Sequence, residues 1–321
     1  MKFALSAAAA AFLLTSPVAA EPFVDWLDGV RSEALANGVG RSVLDAALRD
    51  LEGPLPRVLE LDRKQWKRDV TLDWYLNRVI SDERVDRGRE MGRRYRNLLT
   101  QVSETYGVQP RFILAIWGIE THYGKITGGF PVLGALATLA FDGRRQEFFR
   151  GELLEALSIM ERERMEPASM LGSWAGAMGQ SQFMPTSFSN FAQDYDGDGR
   201  RDIWTTEADV FASIAHYLKR HGWRDDITWG RGVKLPSGLD PDLIGLDVTR
   251  TIPEWQALGV RRVNGTDLPS RALVASVVAP DYPHGDAFLV YENFRVTLTY
   301  NRSSFYATAV GILSDRIARG L

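Results

Sequence analysis

An isolated acidic residue, Glu120, lies within a mainly apolar stretch that runs from residue 112 to residue 124. If the stretch is helical, one face carries four residues at i, i+3 and i+4 spacing: Ile113, Ile116, Glu120 and Tyr123. Apolar surroundings disfavour the charged form of a carboxyl group, so its pKa rises and the group can donate a proton near neutral pH. A solvated carboxylate at a helix end fits the stretch equally well, and both interpretations stay open at this point.

Two further stretches carry polar groups that could bind a ligand. Residues 172–189 are rich in Gly, Ser and Met, and Ser173, Gln180 and Gln182 within them offer the hydrogen bonds that sugar hydroxyls and N-acetyl groups need. Tight packing through the small residues is the alternative. Residues 300–306 combine polar and aromatic side chains ahead of the last predicted helix, where Asn301 could equally serve as its N-cap.

The stretch 194–205 has the spacing of a calcium loop, in which alternate positions supply oxygen ligands. The candidate ligands are the side chains of Asp194, Asp196 and Asp198 and the carbonyl group of Arg200. The last position of the loop is Thr205 instead of a bidentate Glu, so Glu207 or Asp209 would have to complete the site. The alternatives are a plain Asp-Gly turn, and for Asp209 a capping box with Thr206 at the start of a helix.

Composition excludes several chemistries. The 321 residues include no cysteine, which rules out disulfides, thiolate metal sites and a cysteine nucleophile. The net charge is −3 and no basic block stands out, so nucleic-acid binding is disfavoured. The four histidines lack a zinc-type spacing, and no nucleophile elbow, P-loop or dinucleotide fingerprint occurs.

The first 20 residues resemble a secretory signal, with Lys2, an apolar core from Phe3 to Leu14, and small residues up to a cleavage site near Ala20. No later stretch has the length of a membrane span, and a lipid on an N-terminal cysteine is excluded. We therefore predict a soluble, exported protein without a membrane anchor. The absence of disulfides favours a bacterial periplasm.

The elements that must position these residues are predominantly helical, which predicts an α+β fold with a small β-rich insertion. Residues 21–107 are predicted as an N-terminal helical domain, residues 108–222 with 294–321 as the core, and residues 223–293 as the insertion. Helices are expected at 206–220 and 303–317. Strands are expected at 273–278, 287–291 and 295–300.

Taken together, the motifs resemble those of the lytic murein transglycosylase B family. The matching segments are E-T-H-Y-G at Glu120, A-L-A-T-L-A-F before Arg144, G-S-W-A-G-A-M-G-Q-S-Q-F-M-P-T-S, the Asp-rich loop, A-H-Y-L-K-R-H-G-W and Y-N-R-S-S-F-Y-A. The resemblance covers roughly residues 23–320. It implies a lysozyme-like core and cleavage of the MurNAc–GlcNAc β-1,4 bond of peptidoglycan without water, which leaves 1,6-anhydro-MurNAc ends.

The resemblance also implies roles for individual residues. Glu120 would protonate the glycosidic oxygen and then, as a carboxylate, take the proton of the C6 hydroxyl. Ser173 would bind the N-acetyl group. Further glycan contacts would come from Gln182, Tyr217, Asn301 and Tyr306, with Arg144 and Arg145 near the lactyl side and with Phe148 where the family often has Tyr. The Asp-rich loop would be a structural calcium site, completed by Asp209 in place of the missing acid.

Two other functions remain open at this stage. A hydrolytic muramidase would use a second acid such as Asp142, Glu147 or Asp194. A non-catalytic scaffold would bind peptidoglycan or calcium only. The expected partner in each case is the peptidoglycan glycan strand, and no residue in the sequence argues for a cell-wall synthase partner.

Overall fold

The computed structural model describes residues 22–64, 70–142 and 144–320, and the predicted signal segment 1–20 lies outside them. The described chain is predominantly helical with a small antiparallel sheet, which confirms the predicted α+β class. None of the helices in these ranges is both long and apolar enough to cross a membrane.

The N-terminal part consists of short helices. They are α1 (Phe23–Ala36), α2 (Arg41–Leu48), α3 (Pro56–Arg63), α4 (Leu72–Val79), α5 (Asp82–Arg94) and α6 (Arg96–Tyr106). Their apolar faces join one large hydrophobic core with the helices that follow. The N-terminal helices therefore help to enclose the region in which Glu120 lies.

Helix α7 (Pro110–Thr121) is almost entirely buried and carries Glu120 in its last turn. It begins at Pro110, whose fixed φ suits a first turn, and ends because His122 and Tyr123 adopt left-handed φ values of 51° and 59°. Tyr123 therefore lies beyond the helix that the spacing predicted for it. Its ring fills the space left by Gly118, where an added Cβ would lie 2.6 Å from the ring.

Four more helices and a two-stranded ribbon complete the centre of the chain. The helices are α8 (Val132–Phe141), α9 (Gln146–Glu163), α10 (Pro185–Phe191) and α11 (Glu207–Arg220). Strands β1 (Phe130–Pro131) and β2 (Leu171–Gly172) pair antiparallel, and a 3-10 turn covers Pro167–Ser169. The predicted capping box at α11 is wrong, since the Thr206 side chain makes no capping bond and the Asp209 carboxylate accepts backbone N–H groups of the preceding loop instead.

The predicted β-rich segment forms a five-stranded sheet with its own small core around Trp255, Val277 and Leu289. Its elements are β3 (Gly230–Lys234), β4 (Arg250–Thr251), α12 (Ile252–Ala257), β5 (Arg261–Arg262), β6 (Val274–Val278) and β7 (Ala287–Val290), with a 3-10 turn at Pro241–Leu243. The strand order is β4-β6-β7-β3-β5 and all pairings are antiparallel. All five strands lie within residues 223–293, and the predicted strands at 273–278 and 287–291 are confirmed.

The predicted strand at 295–300 is wrong, because these residues belong to helix α13 (Glu292–Tyr300). Val and Thr favour strands locally, but burial of residues 293, 294, 296 and 297 follows a helical spacing. The buried Asn293 amide also bonds the carbonyl groups of Arg224 and Ile227, which fixes the start of the helix. Helix α14 (Ser304–Ala318) then packs against α7 and brings its first turn to Glu120.

Candidate active site

The Glu120 carboxyl group is held by one specific hydrogen bond. The hydroxyl group of Tyr306, from the first turn of α14, donates to Glu120 Oε1 at 2.6 Å. Tyr306 is buried, whereas Glu120 is only partly buried. This bond occupies one carboxyl oxygen and leaves Oε2 for contact with a ligand.

Two opposing effects set the protonation of Glu120. Burial raises its pKa from 4.5 to about 7, and the Tyr306 hydrogen bond acts in the opposite direction. Among the described residues, no second carboxylate contributes to this shift. Near neutral pH the group therefore has access to both its acid and its base form, as an acid–base catalyst requires.

Two other tyrosines lie close enough to Glu120 for its charge to act on them. Burial, and then the charge of Glu120, raise the pKa of Tyr75 in α4 to about 12. The pKa of Tyr300, at the end of α13, is raised for the same two reasons, and its ring lies parallel to that of Tyr306 at 6.5 Å between centroids. Sequence reasoning missed Tyr75, because nothing in its local pattern indicates that α4 packs beside Glu120.

Tyr217, predicted to line the glycan site, packs against the ring of Tyr300. Its ring meets that of Tyr300 edge-on at 4.8 Å and stacks on His221 at 4.2 Å. Its hydroxyl group donates to the Thr299 carbonyl at 2.7 Å, and the residue is only 7% exposed. Tyr217 thus holds the ring of Tyr300 in place, and little of its own surface is free to contact a ligand.

Ser173 has a hydroxyl group prepared to act as a donor. Its Oγ accepts the N–H groups of Ala177 at 3.0 Å and Ala175 at 3.3 Å, which uses its acceptor capacity. The tight backbone path depends on glycine, because a Cβ on Gly128 would lie 2.1 Å from the Gly172 carbonyl oxygen. No acceptor for the Ser173 O–H is found within the described ranges, so this proton remains for a ligand.

The two glutamines of the same loop have different roles. Gln180 is structural: its Oε1 accepts the Trp117 indole N–H at 2.8 Å and its Nε2 donates to the Trp204 carbonyl at 2.9 Å. Gln182 adopts a left-handed φ of 52° and donates from Nε2 to the carbonyl groups of Thr127 and Gly179, each at 3.0 Å. The side-chain oxygen Oε1 of Gln182 has no hydrogen-bond partner within the described ranges and could accept a bond from a ligand.

The remaining predicted glycan residues have no described contact with Glu120. Arg144 binds the Asp62 carboxylate at 2.7 Å, and the Arg145 guanidinium lies 4.8 Å from the ring centroid of Phe149. Phe148 is 47% exposed. Asn301 is exposed and accepts the N–H of Ser303, and Ser303 is the N-cap of α14, so the capping alternative for Asn301 is wrong.

The Asp-rich loop gathers a cluster of three carboxylates. Oxygens of Asp194, Asp196 and Asp209 lie within 4.8 Å of one another. This separation fits ligands on a common calcium ion, whose Ca–O distances are about 2.3–2.6 Å. Asp209 is fully buried and accepts the N–H groups of Tyr195 and Asp202 at 2.7 and 2.8 Å. Asp198 lies outside this cluster, with Oδ2 3.7 Å from the Arg200 guanidinium, and the Arg200 carbonyl remains a predicted ligand.

Comparison with known proteins places the chain in a family. Residues 22–315 match the model of the transglycosylase SLT domain. The chain belongs to this family. It is 34% identical over 251 residues to membrane-bound lytic murein transglycosylase B of Escherichia coli (strain K12), a match that covers 76% of this chain and 66% of that relative, just under two thirds of its length.

Solved structures of family members are similar over most of the chain. SltB3 from Pseudomonas aeruginosa, in complex with NAG-anhNAM-pentapeptide, has a TM-score of 0.90 and 42% identity, covering 93% of this chain and 80% of that one. Lytic transglycosylase Slt35 from Escherichia coli, in complex with calcium, has a TM-score of 0.79 and 30% identity, covering 93% of both chains. The predicted family and its α+β fold are thereby confirmed.

Proposed function

We propose that the protein is a lytic transglycosylase that cleaves the MurNAc–GlcNAc β-1,4 bond of peptidoglycan and leaves a 1,6-anhydro-MurNAc end. The observation that carries the proposal is a single carboxyl group, Glu120, with a pKa of about 7 and with tyrosines as its described neighbours. Membership of the transglycosylase SLT domain family supports the choice of substrate.

In the first step, protonated Glu120 transfers its proton from Oε2 to the glycosidic oxygen. The bond between C1 of MurNAc and that oxygen breaks, and GlcNAc leaves with a new hydroxyl group. Positive charge develops at C1, where the N-acetyl oxygen of the same sugar can stabilise it, so a second protein carboxylate is unnecessary.

In the second step, the C6 hydroxyl oxygen of MurNAc attacks C1 and loses its proton to the Glu120 carboxylate. This closes the 1,6-anhydro ring and returns Glu120 to its acid form. Atoms balance without water. A group that must act first as acid and then as base works best when its pKa lies near the working pH, which matches the value of about 7.

Substrate binding is assigned to polar groups of the loop 172–189 and to tyrosines near Glu120. We infer that the free O–H of Ser173 donates to the N-acetyl carbonyl and that Gln182 offers its carbonyl oxygen to a sugar hydroxyl. Tyr75 and Tyr300 supply aromatic surface next to the reacting bond. We also propose outer contacts with the glycan and its peptide, made by Arg144, Arg145, Phe148 and Asn301. This part of the proposal rests on the family resemblance alone.

Among the described residues, the hydrolytic alternative has no second acid in contact with Glu120. Asp142 lies 3.6 Å from the Arg63 guanidinium, and Asp194 belongs to the carboxylate cluster. Glu147 is exposed in the first turn of α9. None of the three has a described contact with Glu120, which favours ring closure over attack by an activated water.

We also propose that Asp194, Asp196 and Asp209 hold calcium, which would stabilise the loop before α11 by neutralising three neighbouring carboxylates. The calcium complex of Slt35 supports this assignment. Export to the periplasm by the signal segment 1–20 remains part of the proposal.

The replacement Glu120→Gln tests the catalytic role. It keeps the shape of the side chain but cannot transfer a proton, so release of soluble fragments from purified peptidoglycan should fall by about a thousandfold or more. Glu147→Gln is the matched control and should keep its activity. Substantial turnover by folded Glu120→Gln protein would refute the assignment.

A further inference from the structure

The loop between β6 and β7 reaches out of the β-rich segment to the first turn of α4. The Leu72 N–H group donates to Asp281 Oδ2 at 2.7 Å, across 209 positions of sequence. Leu72 itself is buried, with 2% of its surface exposed. The two segments are therefore joined by a charge-assisted hydrogen bond at a packed contact.

Helix α4 depends on such support. It has eight residues, which is too short to be stable without tertiary contacts. Its first turn leaves N–H groups without intrahelical partners, and the Thr71 side chain satisfies that of Trp74 at 3.2 Å. Asp281 satisfies that of Leu72 and places a negative charge at the positive end of the helix.

The turn is shaped to present this carboxylate. The His284 N–H bonds the Asp281 carbonyl at 2.8 Å, and the Tyr282 N–H bonds that of Ala279 at 3.1 Å. Gly285 has a φ of +86°, and a Cβ there would lie 3.0 Å from Asp281 Cβ. A glycine thus allows the chain to close tightly behind Asp281.

Helix α4 in turn contributes to the surroundings of Glu120. Its Tyr75 ring lies 5.8 Å from that of Phe305, the neighbour of Tyr306 in α14. Tyr306 follows Phe305 in the chain and donates its hydroxyl group to Glu120 Oε1 at 2.6 Å, and the charge of Glu120 contributes to the raised pKa of Tyr75. A continuous set of contacts therefore runs from Asp281 through α4 to the carboxyl group.

We propose that Asp281 is a positioning residue for the reaction: by holding the first turn of α4, it keeps Tyr75 beside Glu120 and restricts water on that side of the site. The inference rests on the proposed function of Glu120. It assigns the β-rich segment a part in catalysis, because one of its loops helps to create the environment that Glu120 needs.

The expected signature is a change in the titration of Glu120. The groups that face it are tyrosines from three helices, Tyr75, Tyr300 and Tyr306, and their raised pKa values keep them protonated at neutral pH. Arg84 acts on Tyr75, and beyond the end of α7 His122 lies 3.4 Å from Glu83. If α4 loosens, water reaches Glu120 and its pKa falls toward the ordinary value.

The test compares Asp281→Ala with Asp281→Asn and with Asp286→Ala, which removes an exposed carboxylate from the same turn. In Asp281→Ala, backbone amides of residues 71–79 should exchange faster with deuterium. Its kcat/KM should fall about tenfold, and the alkaline limb of its pH profile should move down by about half a unit. Asp281→Asn keeps an acceptor and should recover most of both values, and Asp286→Ala should match the wild type.

Three results would overturn the inference. The first is wild-type exchange of residues 71–79 in Asp281→Ala. The second is faster exchange with unchanged kcat/KM and an unchanged alkaline limb. The third is a loss of activity in Asp281→Ala that the fraction of unfolded protein fully accounts for, with the alkaline limb of the pH profile unchanged. Failure of the proposed function would look different, since the wild-type protein itself would then release no anhydro products.

Discussion

The Tyr306 hydroxyl group donates a 2.6 Å hydrogen bond to Glu120 Oε1, and this bond counteracts the effect of burial on the same carboxyl group. Burial alone would favour the neutral acid more strongly. The bond stabilises the carboxylate and also fixes its orientation. In the proposed mechanism, Tyr306 would thus help Glu120 to serve as a base in the second step without losing its capacity as an acid in the first.

Replacing Tyr306 with Phe should therefore shift the pH profile upward. Without the donor, the pKa of Glu120 rises further, so the alkaline limb of kcat/KM should move up by about half a unit. The rate should fall by about one to two orders of magnitude because the carboxyl group is no longer oriented. Steady-state rates on purified peptidoglycan between pH 5 and about 9 would measure both effects.

Tyr291→Phe provides the matched control for this variant. It also removes a buried tyrosine hydroxyl, but one that accepts a bond from Arg231 Nε at 2.8 Å in the β-rich segment. Its profile should coincide with that of the wild type. A downward shift of the limb in Tyr306→Phe would show that the hydrogen bond does not stabilise the Glu120 carboxylate.

The raised pKa of Glu120 also predicts a pH-dependent cost in stability. The folded state binds the Glu120 proton more tightly than the unfolded state. Protonation of Glu120 therefore increases the free energy of unfolding below pH 4.5, and this increase is lost as the pH rises to about 7. At higher pH the ionised carboxyl costs up to about 3 kcal/mol, from a shift of roughly 2.5 units. Gln at this position carries no such cost.

Glu120→Gln should accordingly melt above the wild type at pH 8, with the difference shrinking at pH 5. Thermal melts of both proteins at the two pH values are sufficient. A constant difference between the variants, or one that grows toward acid, would be inconsistent with a buried carboxyl group of raised pKa.

The apolar run before Glu120 allowed the helix that carries this residue to be predicted, because burial on nearly all sides leaves a plain hydrophobic pattern. The other residues of the candidate site could be predicted only in part from the sequence. Tyr75 and Tyr300 reach Glu120 through tertiary packing of α4 and α13, which no local spacing encodes. Tyr217 was predicted as a glycan contact from the family motif, whereas in the structure its hydroxyl group donates to the Thr299 carbonyl.

The two errors in secondary structure have a common cause. The segment 295–300 has strand-forming residues, and Thr206 with Asp209 has the spacing of a capping box. In both cases a contact distant in sequence overrides the local preference. Asn293 binds the chain near Arg224, and Asp209 binds the loop N–H groups at Tyr195 and Asp202.

Calcium should raise the melting temperature of the protein. An ion that binds only the folded state stabilises it by about 2.7 kcal/mol at a hundred times its Kd. Melts in calcium and in excess chelator should therefore differ for the wild type, and the difference should shrink in Asp196→Asn, which weakens the carboxylate cluster. Asp247→Asn, an exposed control in the β-rich segment, should respond like the wild type. Equal midpoints in calcium and chelator would argue against the site.

Ser173→Ala should reduce substrate binding more than it reduces the stability of the fold. It removes the proposed donor for the N-acetyl group and leaves the N–H groups of Ala175 and Ala177 without their acceptor. We expect a loss of about tenfold in kcat/KM and a stability cost of about 1 kcal/mol. Binding of glycan fragments whose N-acetyl groups have been removed should be weakened less by the replacement, and an equal loss of affinity for both kinds of fragment would exclude the assigned contact.

The central claim is that one carboxyl group closes a 1,6-anhydro ring instead of activating water. Mass spectrometry of fragments released from purified peptidoglycan by the wild-type protein tests it most directly, with folded Glu120→Gln as the blank. The account predicts fragments lighter by one water than hydrolysis products, about 18 Da, with no gain of reducing ends. Fragments of full hydrolytic mass with new reducing ends would contradict it.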